Sequence, residues 1–421
     1  MGRRVAVIGG GASGMMAAIQ AAKAGASVTL YEKNDRVGKK ILSTGNGRCN
    51  FSNENMALRF YHGSGTALLD AAFADFGAAW TRRFFESLGM RVKSREGYLY
   101  PASGQASTVL DLLRYELGRR QVDVHTGEPV QVLNRQKGKF VVNGGKTYYD
   151  AVVLCSGGCA APAAGSDGSG FALAKAFGHH IVPLVPALTA LRCKEKFYRQ
   201  AAGVRCDARL TLKADGQAVC AEEGELQLTD YGLSGIPAFQ ISRHAAYALK
   251  EGRHVTVTVS FLPDLDEAAC EAFFRARMKE HGTDTMDVFL TGIVNKKVNR
   301  LLCSLAGIRE TEHACGLSGE VFDRLWRLYC FLETEVAGVN GFDRAQVSAG
   351  GVDCAEVDAK LMSKKCPGLY FAGEILDVDG ACGGYNLQWA FSSGAVAGRA
   401  AALGDGEATA KDRGRKNDDS D

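Results

Sequence analysis

One stretch near the N-terminus, Arg4 to Glu32 (RVAVIGGGASGMMAAIQAAKAGASVTLYE), constrains this chain more than any other. Val5, Val7 and Ile8 form a short apolar run without helical period, and Gly9, Gly11 and Gly14 follow as G-x-G-x-x-G. Ala17, Ala18, Ala21 and Ala22 then recur at helical spacing, and Ser27 to Tyr31 reads as a second strand. Strand, glycine turn, helix and strand together open a sheet that takes a dinucleotide. The three glycines serve different ends: a tight turn, close approach of backbone to a pyrophosphate, and close packing of helix on sheet. The helix N-terminus offers unpaired N–H groups and a positive dipole end to the phosphates. Glu32 closes the second strand, where it can accept hydrogen bonds from an adenosine ribose and repel a 2′-phosphate. That combination points to FAD or NAD rather than NADP.

The rest of the composition excludes more than it proposes. A chain of 421 residues suffices for two or three domains, and 46% hydrophobic with 23% charged residues is ordinary for a globular protein. A net charge of +3 calls for no particular partner. Basic doublets such as Arg82–Arg83, Arg119–Arg120 and Lys296–Lys297 read as solvated helix faces, so no nucleic-acid partner is expected. No apolar run approaches a membrane span. The apolar part of MGRRVAVIGGG is too short for a signal peptide and its glycines belong to the turn, so a cytoplasmic protein is expected. Thirteen cysteines include no C-x-x-C pair, which argues against a metal cluster and against the redox-disulfide flavoenzymes.

Along the chain, Lys33 to Asn53 is a long, basic, glycine-rich loop. In it Gly45, Gly47, Arg48, Cys49 and Asn50 either wrap a ligand or form an ordinary surface loop. Asp70–Leu88 and Thr108–Arg120 read as helices, with Gly97–Pro101 as part of a hairpin between them. Val122–His125, Val130–Leu133 and Phe140–Val142 alternate like the strands of a small antiparallel meander. Ala151–Leu154 is a buried strand running into Cys155-Ser156-Gly157-Gly158, followed by a glycine loop and helix over Gly165–His179. From about Pro186 the alternation of Asp207–Lys213, Leu226–Thr229 and Val255–Phe261 suggests an antiparallel β module. A helical stretch is expected to follow, with Val321, Phe322, Leu325, Leu328, Tyr329 and Leu332 on one core-facing side. Leu369–Ala372 then ends at Gly373-Glu374, and Gly383-Gly384 opens a last helix. The expected domains are a discontinuous nucleotide domain (1–185 and 345–403), a β insert (186–262, joined by 337–344), a helical insert (263–336) and a disordered tail (404–421).

A nucleotide domain interrupted by an insert, then completed by a strand ending in A-G-E and a Gly-Gly helix, resembles FAD enzymes of the glutathione-reductase-like superfamily. In those, an acidic residue after the C-terminal strand binds the ribitol or pyrophosphate region. The next helix points its N-terminus at the flavin O2, where negative charge develops on reduction. Glu374 and the Gly383–Asn386 segment match those places. KILSTGNGRCNFSN, GSDGSGFALAKAFGH, LTDYGLSGIPAFQISR and GLYFAGEILDVDGACGGYNLQWAFSSG narrow the likeness. Together they resemble a bacterial flavoprotein family of aminoacetone-oxidase-like and bile-acid 4,6-reductase-like proteins, from Val5 to about Ala402. The resemblance implies an α/β fold: a discontinuous glutathione-reductase-like (Rossmann-type) FAD domain with an inserted antiparallel β-barrel-like module and a helical module. It implies non-covalent FAD held by Gly9, Gly11, Ala12, Ser13, Gly14, Glu32, Lys33, Arg48, Val130, Gly157, Gly373, Glu374, Gly384, Asn386 and Leu387, with the Val130 backbone reading the adenine. Asp377 and Asp379 either line the flavin or cap turns. Many members carry a histidine in a Phe-Thr-His segment where this chain has Leu228-Thr229-Asp230, which removes the ground for carrying over any role of that histidine.

No second G-x-G-x-x-G occurs, so NADH or NADPH would have to bind transiently over the flavin. The expected function is hydride transfer from NAD(P)H through flavin to a small hydrophobic acceptor. The resemblance implies an activated carbon–carbon double bond such as that of a 3-oxo-4-ene steroid or bile acid. An enone takes hydride at its β-carbon and a proton at its α-carbon, with an acid near the ketone oxygen. Tyr100, Tyr231 and Tyr385 are the candidate donors, each of which reads more readily as a packing tyrosine than as the acid. Two alternatives stand beside this reading: a flavin amine oxidase releasing peroxide, and an RNA-modifying flavoprotein, against which the charge balance argues.

Overall fold

The computed structural model describes residues 2–404; apart from Gly404, the expected disordered tail lies outside the described residues. The chain divides into two compact units, one made of the two chain ends up to Leu184 and from Val347, the other of Val185–Gln346.

The first unit is built on a five-stranded, all-parallel sheet. It runs β20 (Leu369–Phe371), β11 (Ala151–Leu154), β1 (Arg4–Ile8), β2 (Ser27–Glu32) and β7 (Asp123–Thr126). The N-terminal strand is therefore the middle one, and Val5, Ala6 and Val7 are fully buried, as an apolar run without alternation demands of a strand covered on both faces. α1 (Ala12–Lys23) connects β1 to β2, and α11 (Tyr385–Leu403) lies against it. A Cβ on Gly394 would lie 2.4 Å from the Ser13 carbonyl oxygen, and one on Gly398 would lie 2.2 Å from that of Ala17. Two glycines one turn apart thus let the helix backbones touch. β3 (Ser52–Asn53), β6 (Tyr98–Pro101) and β5 (Val92–Arg95) make a small antiparallel sheet, and β4 (Tyr61–His62) pairs with β21 (Asp379–Gly380). α4 (Ala106–Arg119), the meander β8 (Leu133–Gln136), β9 (Lys139–Val142) and β10 (Tyr148–Tyr149), and α5 (Ser169–Ala176) complete it. β12 (Ile181–Ala187) carries the chain out of the unit and β19 (Val347–Val352) brings it back.

Three local expectations are corrected. Asp70–Leu88 is not one helix: α2 (Thr66–Phe76) and α3 (Ala78–Ser87) are separated by Gly77, which is extended (ψ −174°) and whose missing Cβ would lie 2.8 Å from the Phe73 oxygen. The Val122–His125 stretch does not join the meander but falls in β7, the parallel edge strand. Val130–Leu133 is a strand only at Leu133. Asn143 Oδ1 accepts from the N–H groups of Gln131 (2.9 Å) and Val132 (3.1 Å), so a side chain replaces the ladder there. The loop after Asn34 is also more ordered than its composition suggests, forming a 3-10 segment over Lys39–Gly47 interrupted at Thr44–Asn46.

The second unit is a closed six-stranded barrel, ordered β13 (Leu191–Cys193), β16 (Gly232–Gly235), β15 (Gln217–Thr229), β14 (Arg205–Ala214), β17 (Val255–Ser260) and β18 (Leu332–Val339). α6 (Ile236–Lys250), opened by Pro237 in its first turn, is a helix the sequence reading did not anticipate. α7 (Glu267–His281), α8 (Met286–Phe289), α9 (Lys296–Ala306) and α10 (Gly319–Phe331) form the helical part, with Phe274, Leu301, Leu325 and Tyr329 fully buried. Asp266 caps α7 through Ala269 N–H at 2.8 Å. Leu332, expected on the α10 stripe, instead opens β18 opposite Val259. Among the described residues no helix is long and apolar enough to cross a membrane.

Candidate functional site

The glycine turn after β1 is forced by its surroundings. Gly9 adopts φ +101°, its N–H donates to the Tyr31 carbonyl at 2.8 Å, and a Cβ there would lie 2.4 Å from the Cys155 carbonyl oxygen. A Cβ on Gly14 would lie 1.8 Å from the Gly9 carbonyl oxygen. Gly11 differs: nothing lies within 4 Å of its Cβ position, so this side of the turn is open. α1 starts directly after it, with no side-chain cap and no acidic residue in its first turn. Ala12 is half-buried and Ser13 buried; a Cβ on Gly373 would lie 2.5 Å from the Ser13 hydroxyl oxygen.

Glu32 is 8% exposed. Its Oε2 accepts from Gly10 N–H (2.8 Å), and its Oε1 from Asn34 N–H (2.8 Å) and Asn34 Nδ2 (2.7 Å). A carboxylate has about four acceptor positions, so room remains for a hydroxyl donor. Lys33 Nζ lies 2.6 Å from Asp167 Oδ1. Val130 is half-buried in the extended segment before β8, and its peptide groups have no hydrogen-bond partner among the described residues.

A carboxylate network joins segments far apart in the chain. Glu374 Oε2 accepts from Lys40 Nζ at 2.7 Å, and Oε1 accepts from Ser348 N–H at 2.9 Å. Ser348 Oγ in turn accepts from the N–H groups of Cys159 (2.7 Å) and Ala160 (3.0 Å). Gly157 has φ +74°, and its Cβ position lies 2.9 Å from Ser166 Oγ, a buried hydroxyl without a partner among the described residues.

A second cluster surrounds the start of α11. Gly384, with φ +91°, precedes the helix and no side chain caps it. Its Cβ position lies 2.5 Å from the Ser52 carbonyl oxygen and 2.8 Å from Asn50 Oδ1, itself buried and unpaired among the described residues. Asn386 Oδ1 accepts from Gly380 N–H (2.8 Å) and its Nδ2 donates to the Gly380 carbonyl (2.7 Å), fixing the turn before the helix, while Leu387 is half-buried. Asp377 Oδ2 accepts from Ser64 N–H at 2.8 Å; Asp379 sits in β21, opposite His62.

Of the three candidate acids, Tyr385 and Tyr100 belong to this cluster. Tyr385 stacks on Phe60 (centroids 4.8 Å apart) and meets Tyr61 edge-on, and burial pushes its phenol up to about 12. Burial also pushes the Tyr100 phenol up, with Tyr98 adding to the shift while Arg95 and the exposed Arg48 oppose it. Tyr231 lies in the barrel unit, between β15 and β16, with its hydroxyl 3.2 Å from Asn340 Nδ2. The sequence reading missed Tyr98. Its Cε1 lies 2.5 Å from the Cβ position of Gly383, and the alternation Tyr98-Leu99-Tyr100 was the available signal that it shares a face with Tyr100.

A model of the HI0933-like protein Rossmann domain matches residues 3–400. The chain belongs to the HI0933-like family. A 3-dehydro-bile acid delta(4,6)-reductase of Clostridium scindens is 45% identical over 404 residues, covering 95% of this chain and 99% of the relative. Two ribosomal RNA dihydrouridine synthases, of Haemophilus influenzae and Escherichia coli, are each 28% identical, over 403 and 412 residues, covering 92% of this chain and 95% of each relative. This HI0933-like protein thus has a Rossmann-type FAD domain and is an FAD-dependent oxidoreductase.

Its own residues fit that cofactor. The open side at Gly11 faces an uncapped helix start, as a pyrophosphate requires. The spare acceptor capacity of Glu32 suits a ribose, the unpaired Val130 peptide groups suit a base edge, and the orphaned Ser166 and Asn50 oxygens are each aimed at a glycine with no side chain of its own.

Proposed function

We propose that this HI0933-like protein reduces the conjugated carbon–carbon double bond of a flat, mostly apolar carbonyl compound of the 3-oxo-4-ene steroid or bile-acid class. NADH or NADPH would serve as the transient hydride donor. The observation that carries this reading is the end-to-end identity of 45% with a bile-acid reductase. The more distant relatives support the same class of reaction: the double bond that becomes saturated in dihydrouridine is also conjugated with a carbonyl.

When bound, FAD supplies a ring that takes up and gives back hydride. The chain's contribution is position and charge. In this reading Gly9, Gly11, Ala12, Ser13 and Gly14 hold the pyrophosphate, Glu32 and Lys33 the ribose side, and Val130 the adenine. Gly157, Gly373 and Glu374 hold the middle of the cofactor. Arg48, Gly384, Asn386 and Leu387 border the ring. The uncapped start of α11 favours negative charge beside it. Phe60 and Tyr385 present an aromatic wall that excludes water, and the tyrosine hydroxyls are the polar groups suited to a carbonyl end. The lack of a second glycine motif supports a nicotinamide that visits and leaves.

A second reading, reduction of uridine in ribosomal RNA, is favoured by the 28% identity to the two synthases. One experiment separates the readings. The protein should purify yellow and release FAD on acid treatment. After anaerobic reduction with dithionite, it is mixed with 4-androstene-3,17-dione or with an unmodified ribosomal RNA fragment. Rapid reoxidation by the steroid alone is expected; reoxidation by the RNA alone would replace the first reading with the second. Reduction of the oxidised protein by aminoacetone, with no response to either acceptor, would make it an amine oxidase. Separate titrations with NADH and NADPH identify the donor.

A further inference from the structure

Several tyrosine hydroxyls in this protein are tied down. Tyr61 donates to the Tyr385 carbonyl (3.0 Å), Tyr31 and Tyr149 share a hydrogen bond (2.8 Å), and Tyr329 donates to Asn299 Oδ1 (2.8 Å). The hydroxyls of Tyr98, Tyr100 and Tyr385 are different. They have no hydrogen-bond partner among the described residues, and Tyr98 lies within electrostatic reach of the other two. Three unpaired phenols therefore gather beside the start of α11.

Position separates them. The ring of Tyr385 is held between Phe60 and Tyr61 and is buried, which suits a wall. Tyr100 stands two residues along β6, opposite Lys93, and Arg95 lies opposite Tyr98. Tyr98 is central, and its placement is built into the strand pairing. Asn53 in β3 is the register partner of Tyr98 in β6, and the Asn53 Nδ2 donates to the Gly383 carbonyl at 3.0 Å. Gly383, at φ +122°, could carry no side chain without striking the Tyr98 ring. One asparagine thus fixes both the strand that carries Tyr98 and the peptide that precedes the helix. Such a preset donor is what stabilises developing charge at low cost in reorganisation.

We infer that Tyr98 donates a hydrogen bond, and then its proton, to the carbonyl oxygen of the acceptor. This rests on the reductase reading above. An enone that gains hydride at its β-carbon shifts its π electrons onto oxygen. The Tyr98 hydroxyl proton completes the enol there, water reprotonates the phenolate, and the enol tautomerises to the saturated ketone. The hydride comes from the nicotinamide donor named above. Arg48 and Arg95 supply positive potential near the phenol cluster while the phenolate exists.

The test is Tyr98→Phe, which keeps the ring against Gly383 and removes only the hydroxyl. The variant should retain FAD and its visible spectrum and be reduced by dithionite. Its anaerobic reoxidation by 4-androstene-3,17-dione should slow about 10²- to 10⁴-fold, the range of general-acid catalysis. The red shift of the enone absorption on binding to the oxidised wild type should disappear. Wild-type reoxidation and an unchanged difference spectrum in the variant would overturn the inference while leaving the reductase reading intact. The same holds if Tyr100→Phe shows the loss and Tyr98→Phe does not. Loss of FAD from Tyr98→Phe would assign the hydroxyl to cofactor binding and also overturn it. A wild-type protein that the steroid fails to reoxidise refutes the reading and the inference together.

Discussion

Two helix starts in the same unit invite comparison. α1 and α11 both begin at a glycine, Gly11 and Gly384, and neither has a side-chain cap or an acidic residue in its first turn. At α1, Glu32 is engaged by Gly10 and Asn34, and the turn glycines are fixed by backbone atoms. At α11, Asn386 and Asn53 hold the turn, while Asn50 Oδ1 is buried without a partner among the described residues and the hydroxyls of Tyr98, Tyr100 and Tyr385 have none there either. The same dipole therefore serves two ends. Under the proposed function, α1 would meet the pyrophosphate, whose charge does not change, and a turn fixed by backbone atoms is enough. Under the same proposal, α11 would meet the flavin ring, where charge changes, and unpaired hydroxyls held in place by strand pairing would be there to receive it.

Substitutions at the two sites should fail differently. The largest effect is expected from Gly14→Ala, whose Cβ has a backbone oxygen at 1.8 Å and no flexible neighbour to displace. FAD should be lost altogether, read as flavin absorbance per mole of purified protein; a yellow variant would show that the α1 turn is not rigid. Next is Gly384→Ala, with strain of about 1–3 kcal/mol from its left-handed backbone and a contact at 2.5 Å to Ser52. It should lower the melting temperature and slow reoxidation more than it weakens FAD. If affinity falls and the rate does not, the two helix starts do the same work and the comparison breaks. Glu32→Ala should do the reverse. A hydrogen bond to a charged partner contributes roughly 1.5–3 kcal/mol, so FAD affinity should drop about ten- to hundredfold, measured by fluorescence titration of apoprotein. The smallest effect belongs to Lys40→Met, which breaks the part-exposed pair with Glu374. Such pairs contribute about 0–1 kcal/mol, so no more than about a fivefold change in FAD affinity is expected, shrinking further in high salt.

The same contrast explains what could be read from the chain itself. The α1 turn lies in one continuous stretch, so its glycines, helix and acid were all visible in order. The final strand and Gly-Gly helix were visible for the same reason. Partnership was not. Val122–His125 has the alternation of a strand, but nothing in it says that it joins β2 in parallel. Asn143 replaces ladder bonds near Val130 from a dozen residues away. Gly77 splits a helical pattern whose period runs straight through it. Tyr98 became a candidate only once Asn53, Gly383 and β6 were brought together from three separate segments.

The contact between α1 and α11 also has a consequence for synthesis. The chain's first helix packs against Gly394 and Gly398 of its last. At about 5–20 residues per second, the partner of Ala17 leaves the ribosome roughly 20–75 seconds after Ala17 itself. Throughout that interval the small, apolar face of α1 has no permanent cover, although β1 and β2 are already available. A chain released before Tyr385 would keep the nucleotide turn in its sequence yet lack the helix that closes over it. For this protein, the nucleotide turn is finished only when α11 arrives, long after the turn itself is made.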